Sequence, residues 1–228
     1  ERLKEKLRAN EAQLQYYQLQ TDPHFYLNCL NTISTLLQNE KKEVANDMII
    51  ALSGHFRYMF RKSRSLVLLK EELEEVQDYC RIYNIRNGIP LLVDMDVSKS
   101  EMLCKVPILC IQTFVENAIK YYGKNGQMLQ VRIQIRRIKK EYKKEFLKIR
   151  ITDNGVGYTK ENLDEFNKPV DKFVYKSSHV GIDNLKYRFK LIFENEADIY
   201  FYNAPYSGAV VEMTIPAKED DSDENINN

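Results

Sequence analysis

Two short segments of this sequence combine side chains that could act on a phosphorylated ligand. In TDPHFYL, His24 follows Pro23. An imidazole there can be a buried packing residue, a ligand or a reacting group. In VENAIKYYG, Asn117, Lys120 and Tyr121 are three and four residues apart, so they lie on one side of a helix. An amide, an ammonium and a phenol side by side could hold a magnesium ion, a phosphate and a sugar. The ordinary alternative is an exposed polar helix face.

Two glycine-containing segments add a second kind of signal. In ITDNGVGY, Asp153 ends a predicted strand, and Gly155 and Gly157 allow the following backbone to approach a ligand closely. In SSHVGIDNL, Gly181 opens a predicted helix whose free N–H groups and dipole would attract an anion. Taken separately, the first segment is equally typical of a tight turn and the second of an ordinary capped helix.

The elements that would position His24 are helical. Apolar residues spaced four and three apart run from Leu3 to His24, a pattern typical of a coiled coil or of an amphipathic helix packed on its own chain. We expect a bend at Pro23, because proline cannot donate an N–H. The apolar stripe continues to Leu37, and a second helix is predicted from about Val44 to Lys62, with His55 as a structural or surface residue. Such a slim hairpin cannot bury its stripe alone, so we expect it to dimerise as a four-helix bundle.

After residue 65 the pattern changes to short strands alternating with helices. Strands are predicted at 66–69, 90–97, 128–138, 144–155, 197–203 and 208–216. Helices are predicted at 70–88, 105–123 and 181–193. The segment 156–180 is long for a simple connection and is a candidate lid. These elements predict an α+β fold in which a mixed sheet carries helices on one face.

The composition excludes several classes of protein. The 228 residues are 43% hydrophobic, which is enough for a packed core, and the formal net charge of +1 indicates no nucleic-acid partner. Apolar runs fall short of the ~20 residues of a membrane span. The four cysteines form no CxxC pair, so we interpret them as reduced core thiols of a cytoplasmic protein. The acidic segment 219–228 is predicted to be disordered.

In this order, the segments resemble the Bergerat (GHKL) ATP-binding domain and, more narrowly, the LytS/YesM-type sensor histidine kinases. QTDPHFYLNCLNTI is similar to the phosphoacceptor box of that family, QINPHFLFNxLNxI. LSGHFRYMFRKS resembles its second-helix motif, LVLLKEELEEVQDYCRIYNIR the start of its ATP-binding domain, and SGAVVEMTIP its last strand. The resemblance extends over residues 13–216.

The resemblance implies roles for the residues of phosphoryl transfer. His24 would be the phosphorylated histidine, and Asn117 would ligate Mg²⁺, with Glu116 beside it as a base or second ligand. A histidine that attacks through one nitrogen needs a hydrogen-bond acceptor for the N–H of the other. Our hypothesis for that acceptor is Asp22, and its rivals are Gln20 and Asn28.

The resemblance also implies a nucleotide site for ATP. Lys120 would approach a phosphate and Tyr121 the sugar. Asp153 would accept from the adenine amino group in a pocket shaped by Gly155 and Gly157. Gly181 would let the following helix meet the phosphates.

The implied protein is the cytoplasmic core of a membrane-bound sensor histidine kinase. Residues 1–65 would form the dimerisation and phosphotransfer hairpin, 66–218 the ATP-binding domain and 219–228 the acidic tail. The expected partners are a second copy, the receiver domain of a response regulator and, through an upstream segment, a membrane. His179 stands where the family has a lid glycine, so a degenerate pseudokinase acting as a dimeric scaffold remains the alternative.

Overall fold

A computed structural model describes residues 23–59, 65–88, 90–122, 128–139, 144–169, 180–194 and 196–218. The chain divides into two compact units. The helical unit comprises residues 1–65 and 74–91, and the sheet unit comprises residues 66–73 and 92–228. Residues 74–91 therefore group with the hairpin, and the boundary that the sequence predicts at residue 65 stays a prediction. Predictions for the seam before His24, for Asp22, for His179 and for the tail lie outside the described residues.

The helical unit contains the predicted hairpin. Helix α1 covers Pro23–Gln38 and helix α2 covers Lys42–Met59. Both pack against the second half of helix α3, Leu69–Asn87. Their shared core consists of Cys29, Ile33, Met48, Ala51, Leu52 and Ile82. None of the described helices combines the length and apolar character needed to cross a bilayer.

A buried hydrogen bond between side chains connects α2 to α3 within the helical unit. His55 is 2% exposed and its Nδ1 contacts Oε1 of Glu75, which is 3% exposed. The Tyr26 hydroxyl, from α1, lies 3.1 Å from both His55 Nε2 and Met59 Sδ. Sequence alone left His55 open between a structural and a surface position, and the structure assigns it to the core.

We expect His55→Ala to lower the free energy of unfolding by about 3–5 kcal/mol, because it leaves the Glu75 carboxyl buried and unpaired. Burial raises the pKa of Glu75, and the hydrogen bond from His55 opposes that rise. Without His55, the folded state holds a proton on Glu75 that the unfolded chain has already released, so the deficit should shrink as pH falls. Urea unfolding at pH 5.5 and pH 8 measures both effects.

The control for this pair is a double substitution. His55→Leu with Glu75→Met removes both polar groups at similar volume and should recover most of the lost stability. An exposed neighbour, Glu74→Gln, should change it by less than about 0.5 kcal/mol. A His55→Ala protein as stable as the wild type would contradict the interpretation of this contact.

The sheet unit is built on five strands in the order β2-β4-β5-β7-β6. Their bounds are β2 Leu92–Asp96, β4 Gln130–Lys139, β5 Glu145–Asp153, β6 Asp198–Asn203 and β7 Ala209–Pro216. Strand β2 is parallel to β4 and the other neighbours are antiparallel, which confirms the predicted mixed sheet. In the central register, Ile151 pairs with Ile133 and Val211, and all three are buried.

The two faces of this sheet differ in chemistry. The face with the buried isoleucines and valines forms the core with helices α4 Gln112–Tyr121, α5 Lys160–Phe166 and α6 Val180–Phe193. The opposite face carries ion pairs between strands, such as Arg132 with Asp94 and Arg150 with Glu212. The α+β prediction with helices on one face is therefore confirmed.

The prediction of one helix over 105–123 is wrong in its first third. Lys105–Pro107 forms strand β3, which pairs with β1, Leu66–Leu68, so that Val106 lies opposite Val67. Leu109 has a φ of 60°, which interrupts a right-handed helix, and α4 begins only at Gln112. Pairing with a strand some forty residues earlier is invisible to local periodicity. In the predicted lid, α5 occupies residues 160–166, and 170–179 lie outside the described residues.

Candidate functional site

The sheet unit contains a cavity that gathers five of the predicted site residues. Its volume of about 180 Å³ is far more than a single water molecule needs. Asn117, Tyr121, Asp153, Gly155 and Gly157 all line it. The remaining lining is mostly apolar and includes Phe114, Ala118, Ile151, Val156, Phe166, Ile182 and Val211. An apolar cavity with a few convergent polar groups is typical of a site for a small molecule or cofactor.

Asp153 is the acidic group of this cavity, and its orientation is fixed by the backbone. Its Oδ1 accepts hydrogen bonds from the N–H of Gly155 at 2.8 Å and of Ala209 at 3.1 Å. Burial raises the pKa of Asp153, and these two N–H groups oppose the rise. Because both bonds use Oδ1, Oδ2 can accept from a ligand that donates an N–H.

The backbone approaches Asp153 closely only because residue 208 is a glycine. Gly208 has a φ of 98°, and a Cβ there would lie 1.8 Å from the carbonyl oxygen of Asp153. The contact brings the start of β7 against the end of β5, which places the Ala209 N–H on the carboxylate.

Asn203 fixes the segment that follows Asp153, a role that sequence reasoning missed. Its Oδ1 accepts from the Tyr158 N–H at 2.7 Å and its Nδ2 donates to the Tyr158 carbonyl at 2.9 Å. Gly157 makes room for this side chain, because a Cβ there would lie 2.8 Å from Asn203 Oδ1. The Ser207 hydroxyl donates to the Gly155 carbonyl at 2.7 Å. The position of Asn203 at a strand end before a turn was the available signal.

Helix α4 supplies the second polar group of the cavity. Asn117 lines it, and the Asn117 Nδ2 atom is buried with no hydrogen-bond partner among the described residues. Glu116 is exposed, and its Oε1 accepts from Gln112 Nε2 at 2.8 Å. Gln112 is 2% exposed and, like Asn203, was not singled out from the sequence.

The remaining predicted residues of this unit lie outside the cavity lining. Lys120 is exposed, with its ammonium 5.3 Å from the centre of the Tyr121 ring. Gly181 is exposed in the first turn of α6, and its neighbour Ile182 does line the cavity. A Cβ at Gly181 would make an ordinary contact of 3.6 Å with Thr113, so packing alone does not require glycine there.

His24 belongs to the helical unit, where it lies exposed in the first turn of α1. Asn28 Nδ2 is 3.0 Å from His24 Nδ1, so the amide of this rival lies within hydrogen-bond distance of the ring. The residue after His24 is firmly anchored. The Phe25 ring stacks on Tyr79 at 5.4 Å, and the Arg86 guanidinium lies 5.3 Å from its centre.

Known families match both parts of the chain. Residues 12–91 match the family described as "Histidine kinase". Residues 107–219 match the family described as "Histidine kinase-, DNA gyrase B-, and HSP90-like ATPase".

Curated relatives agree with these families. An "Uncharacterized sensor-like histidine kinase" of Staphylococcus epidermidis is 29% identical over 92% of this chain and 40% of its own length. A "Sensor protein LytS" of Enterococcus faecalis is 29% identical over 95% of this chain and 36% of its own length. The protein of that name from Staphylococcus saprophyticus is 31% identical over 90% and 34%. The chain thus spans well under half the length of these relatives. By its two matched domains and its LytS-like relatives, the chain belongs to the histidine kinase family, as a kinase core of the LytS type.

Proposed function

We propose that this chain is the ATP-dependent kinase core of a two-component sensor. It would transfer the γ-phosphoryl group of ATP to His24 and from there to an aspartate of a response-regulator receiver domain. The observation that carries the proposal is the cavity in which Asp153 is held by two backbone N–H groups between apolar walls. Within the described residues, no observation favours the pseudokinase alternative.

The cavity suits the adenine of ATP. Oδ2 of Asp153 would accept from the exocyclic amino group, while the apolar walls of α4, β5 and β7 would enclose the ring. Tyr121, which lies at the same cavity, would contact the sugar. Lys120 and the N-terminus of α6 at Gly181 would meet the phosphates, since both are exposed and one is cationic.

Asn117 fits a magnesium-nucleotide complex. Mg²⁺ keeps several waters and takes few protein ligands besides phosphate oxygens, so one amide oxygen is sufficient. Oδ1 of Asn117 would bind the ion, and the Nδ2 group, which has no partner among the described residues, would donate to a phosphate oxygen. Glu116 would act beside it as a base or second ligand. When bound, the ion neutralises charge that develops on the phosphates.

For the transfer step, one ring nitrogen of His24 must carry a free lone pair. One ring nitrogen attacks the γ-phosphorus, the new N–P bond forms, and the bond to the bridging oxygen breaks to release ADP. The proton on the other nitrogen is then lost to solvent or a base. Asn28 would orient the ring, with its amide turned so that Oδ1 accepts from the N–H at Nδ1. Asp22 stays the competing proposal.

A homodimer is part of this proposal. Helices α1 and α2 expose large apolar side chains that a monomer would leave in water. They are Leu27, Leu30, Leu37, Val44, Ile49 and Ile50. A second copy packed on this face would complete a four-helix bundle. An upstream segment would connect the core to a membrane, with this chain on the cytoplasmic side.

Incubation with γ-labelled ATP and Mg²⁺ tests the function. A kinase acquires label that acid removes and alkali does not, because the phosphorus is bonded to nitrogen. Release of free phosphate without labelled protein would indicate an ATPase instead. Neither product, with nucleotide bound or not, would indicate the scaffold.

We expect Asp153→Asn to weaken ATP binding roughly 10- to 100-fold, because Oδ1 of the amide keeps the Gly155 and Ala209 bonds and turns an N–H donor toward the adenine amino group. Wild-type affinity should fall as pH drops through the raised pKa of Asp153, since a protonated carboxyl loses its acceptor. Calorimetric titration at several pH values measures both. The exposed Asp164→Asn is the matched control. Equal affinity of Asp153→Asn and the wild type would exclude Asp153 as the adenine acceptor.

A further inference from the structure

Glu72, in the first turns of α3, is a carboxylate that the proposed reaction does not use and that solvent does not reach. It is 0% exposed. Its Oε2 accepts from the Leu109 N–H at 2.7 Å, and its Oε1 accepts from the N–H groups of Ile111 at 2.9 Å and Gln112 at 3.3 Å. One buried side chain thus accepts from three of the four backbone N–H groups of residues 109–112, all within the sheet unit.

This loop leads directly into helix α4, which lacks a cap of its own. The N-cap residue is Ile111, whose backbone is already helical and whose side chain accepts no hydrogen bond. Helix N-termini leave N–H groups unsatisfied, and serine, threonine, aspartate or asparagine usually accepts from them locally. Here a glutamate from another helix does so. Its negative charge also suits the positive end of the α4 dipole.

The same loop is held in an unusual backbone conformation. Leu109 has a φ of 60°, a region that leucine rarely adopts, and its N–H donates the shortest of the three bonds to Glu72. Strained residues persist when their surroundings fix them. Burying a carboxylate is unfavourable unless hydrogen bonds satisfy it, and an apolar side chain could fill the same volume at no such cost. A buried carboxylate at position 72 therefore points to a role for its hydrogen bonds in fixing this loop.

Helix α4 carries the polar groups of the candidate site. Its first residue, Gln112, donates its backbone N–H to Glu72 Oε1 and its side-chain Nε2 to Glu116 Oε1. Asn117 and Tyr121 lie five and nine residues further along α4 and line the cavity. The start of α4 sets the axial position of all of them, because a helix is a rigid element over this length.

We propose that Glu72 is a positioning residue for the magnesium-nucleotide site. Its carboxylate caps α4 from outside the helix and holds Asn117 and Glu116 at the position where the metal-bound phosphates are met. The inference rests on the proposed function of Asn117. It assigns to Glu72 chiefly the part of nucleotide affinity that depends on Mg²⁺, because Asn117 is carried by α4 alone, whereas the adenine would also contact β5 and β7. Asp153 is held by Gly155 and Ala209, which belong to other segments.

The test compares the affinity for a non-hydrolysable ATP analogue in Mg²⁺ and in EDTA. The variants are Glu72→Gln, which keeps the volume and removes the charge, and Glu72→Asp, which keeps the charge and retracts it. The exposed Glu74→Gln on the same helix is the control. The gain from Mg²⁺ is the ratio of the analogue affinity in Mg²⁺ to the affinity in EDTA. For Glu72→Gln, we expect this ratio to fall by about tenfold, as for other residues that orient a metal ligand. Its affinity in EDTA should fall by less than the gain from Mg²⁺ falls, because Asp153 and the cavity walls from β5 and β7 do not depend on the position of α4.

The outcomes separate this inference from the function on which it rests. A wild type that gains nothing from Mg²⁺ contradicts the role proposed for Asn117. A wild type that gains from Mg²⁺, with an unchanged gain in Glu72→Gln, overturns the inference about Glu72 alone. Equal losses in Mg²⁺ and EDTA also overturn it, because they indicate general destabilisation. If Glu72→Gln does not fold, Glu72→Asp carries the same comparison, with a reduced gain expected.

Discussion

Replacing His24 with alanine should reduce transfer of label from γ-labelled ATP to background while nucleotide affinity stays that of the wild type. The imidazole supplies the attacking lone pair, and no other group in the first turn of α1 offers an equivalent nucleophile at neutral pH. His24 is exposed, so its removal leaves no cavity in the core of the helical unit. Labelling, nucleotide titration and thermal unfolding of the same preparation measure the three quantities.

The matched control for His24 is Ser34→Ala, which removes an exposed polar group from the same helix. It should label like the wild type. Acid-labile label that persists in His24→Ala would assign the phosphoacceptor elsewhere. His55 is a poor candidate for such a site, because it is 2% exposed and bound to Glu75. Loss of nucleotide binding together with label would show that the substitution acts on more than the nucleophile.

Sequence could predict those parts of the site whose residues lie close together in the chain. Asp153, Gly155 and Gly157 follow one another at the end of a strand, so their common position in one cavity follows from local geometry. Asn117 and Tyr121 share a helix face for the same reason. Lys120 has the same spacing to Asn117, yet its ammonium lies over the Tyr121 ring, because an exposed long side chain is not fixed by helical register.

What sequence missed depends on contacts between distant segments. Glu72 meets residues 37 to 40 positions further along, and Asn203 meets Tyr158 at a separation of 45. Such pairs leave no periodic trace, and each residue alone is typical of a surface helix or a turn. The strand at Lys105–Pro107 was read as helix for the same reason, since only its pairing with β1 makes it a strand.

Gly208→Ala should have the largest effect on the nucleotide site. The new Cβ would lie 1.8 Å from the Asp153 carbonyl oxygen and 2.7 Å from its carbonyl carbon, so the backbone of β5 or β7 has to move. That movement breaks the bond from the Ala209 N–H to Asp153. Losing one hydrogen bond to a charged group costs about 1.5–3 kcal/mol, which corresponds to an affinity loss of up to about 100-fold. We also expect the unfolding free energy to fall by about 3 kcal/mol or more, from overpacking and from a φ of 98°.

Gly88→Ala separates these two causes. Gly88 also has a positive φ, of 64°, but a Cβ there meets nothing within 4 Å, so its substitution carries only the backbone strain of about 1–2 kcal/mol. Urea unfolding should therefore give Gly208→Ala a lower unfolding free energy than Gly88→Ala. Titration with an ATP analogue should give Gly208→Ala a reduced affinity and Gly88→Ala the affinity of the wild type. Similar stabilities for both variants would mean that the sheet unit absorbs the extra methyl group. In that case the close approach of β7 to Asp153 would not be what places the Ala209 N–H on the carboxylate.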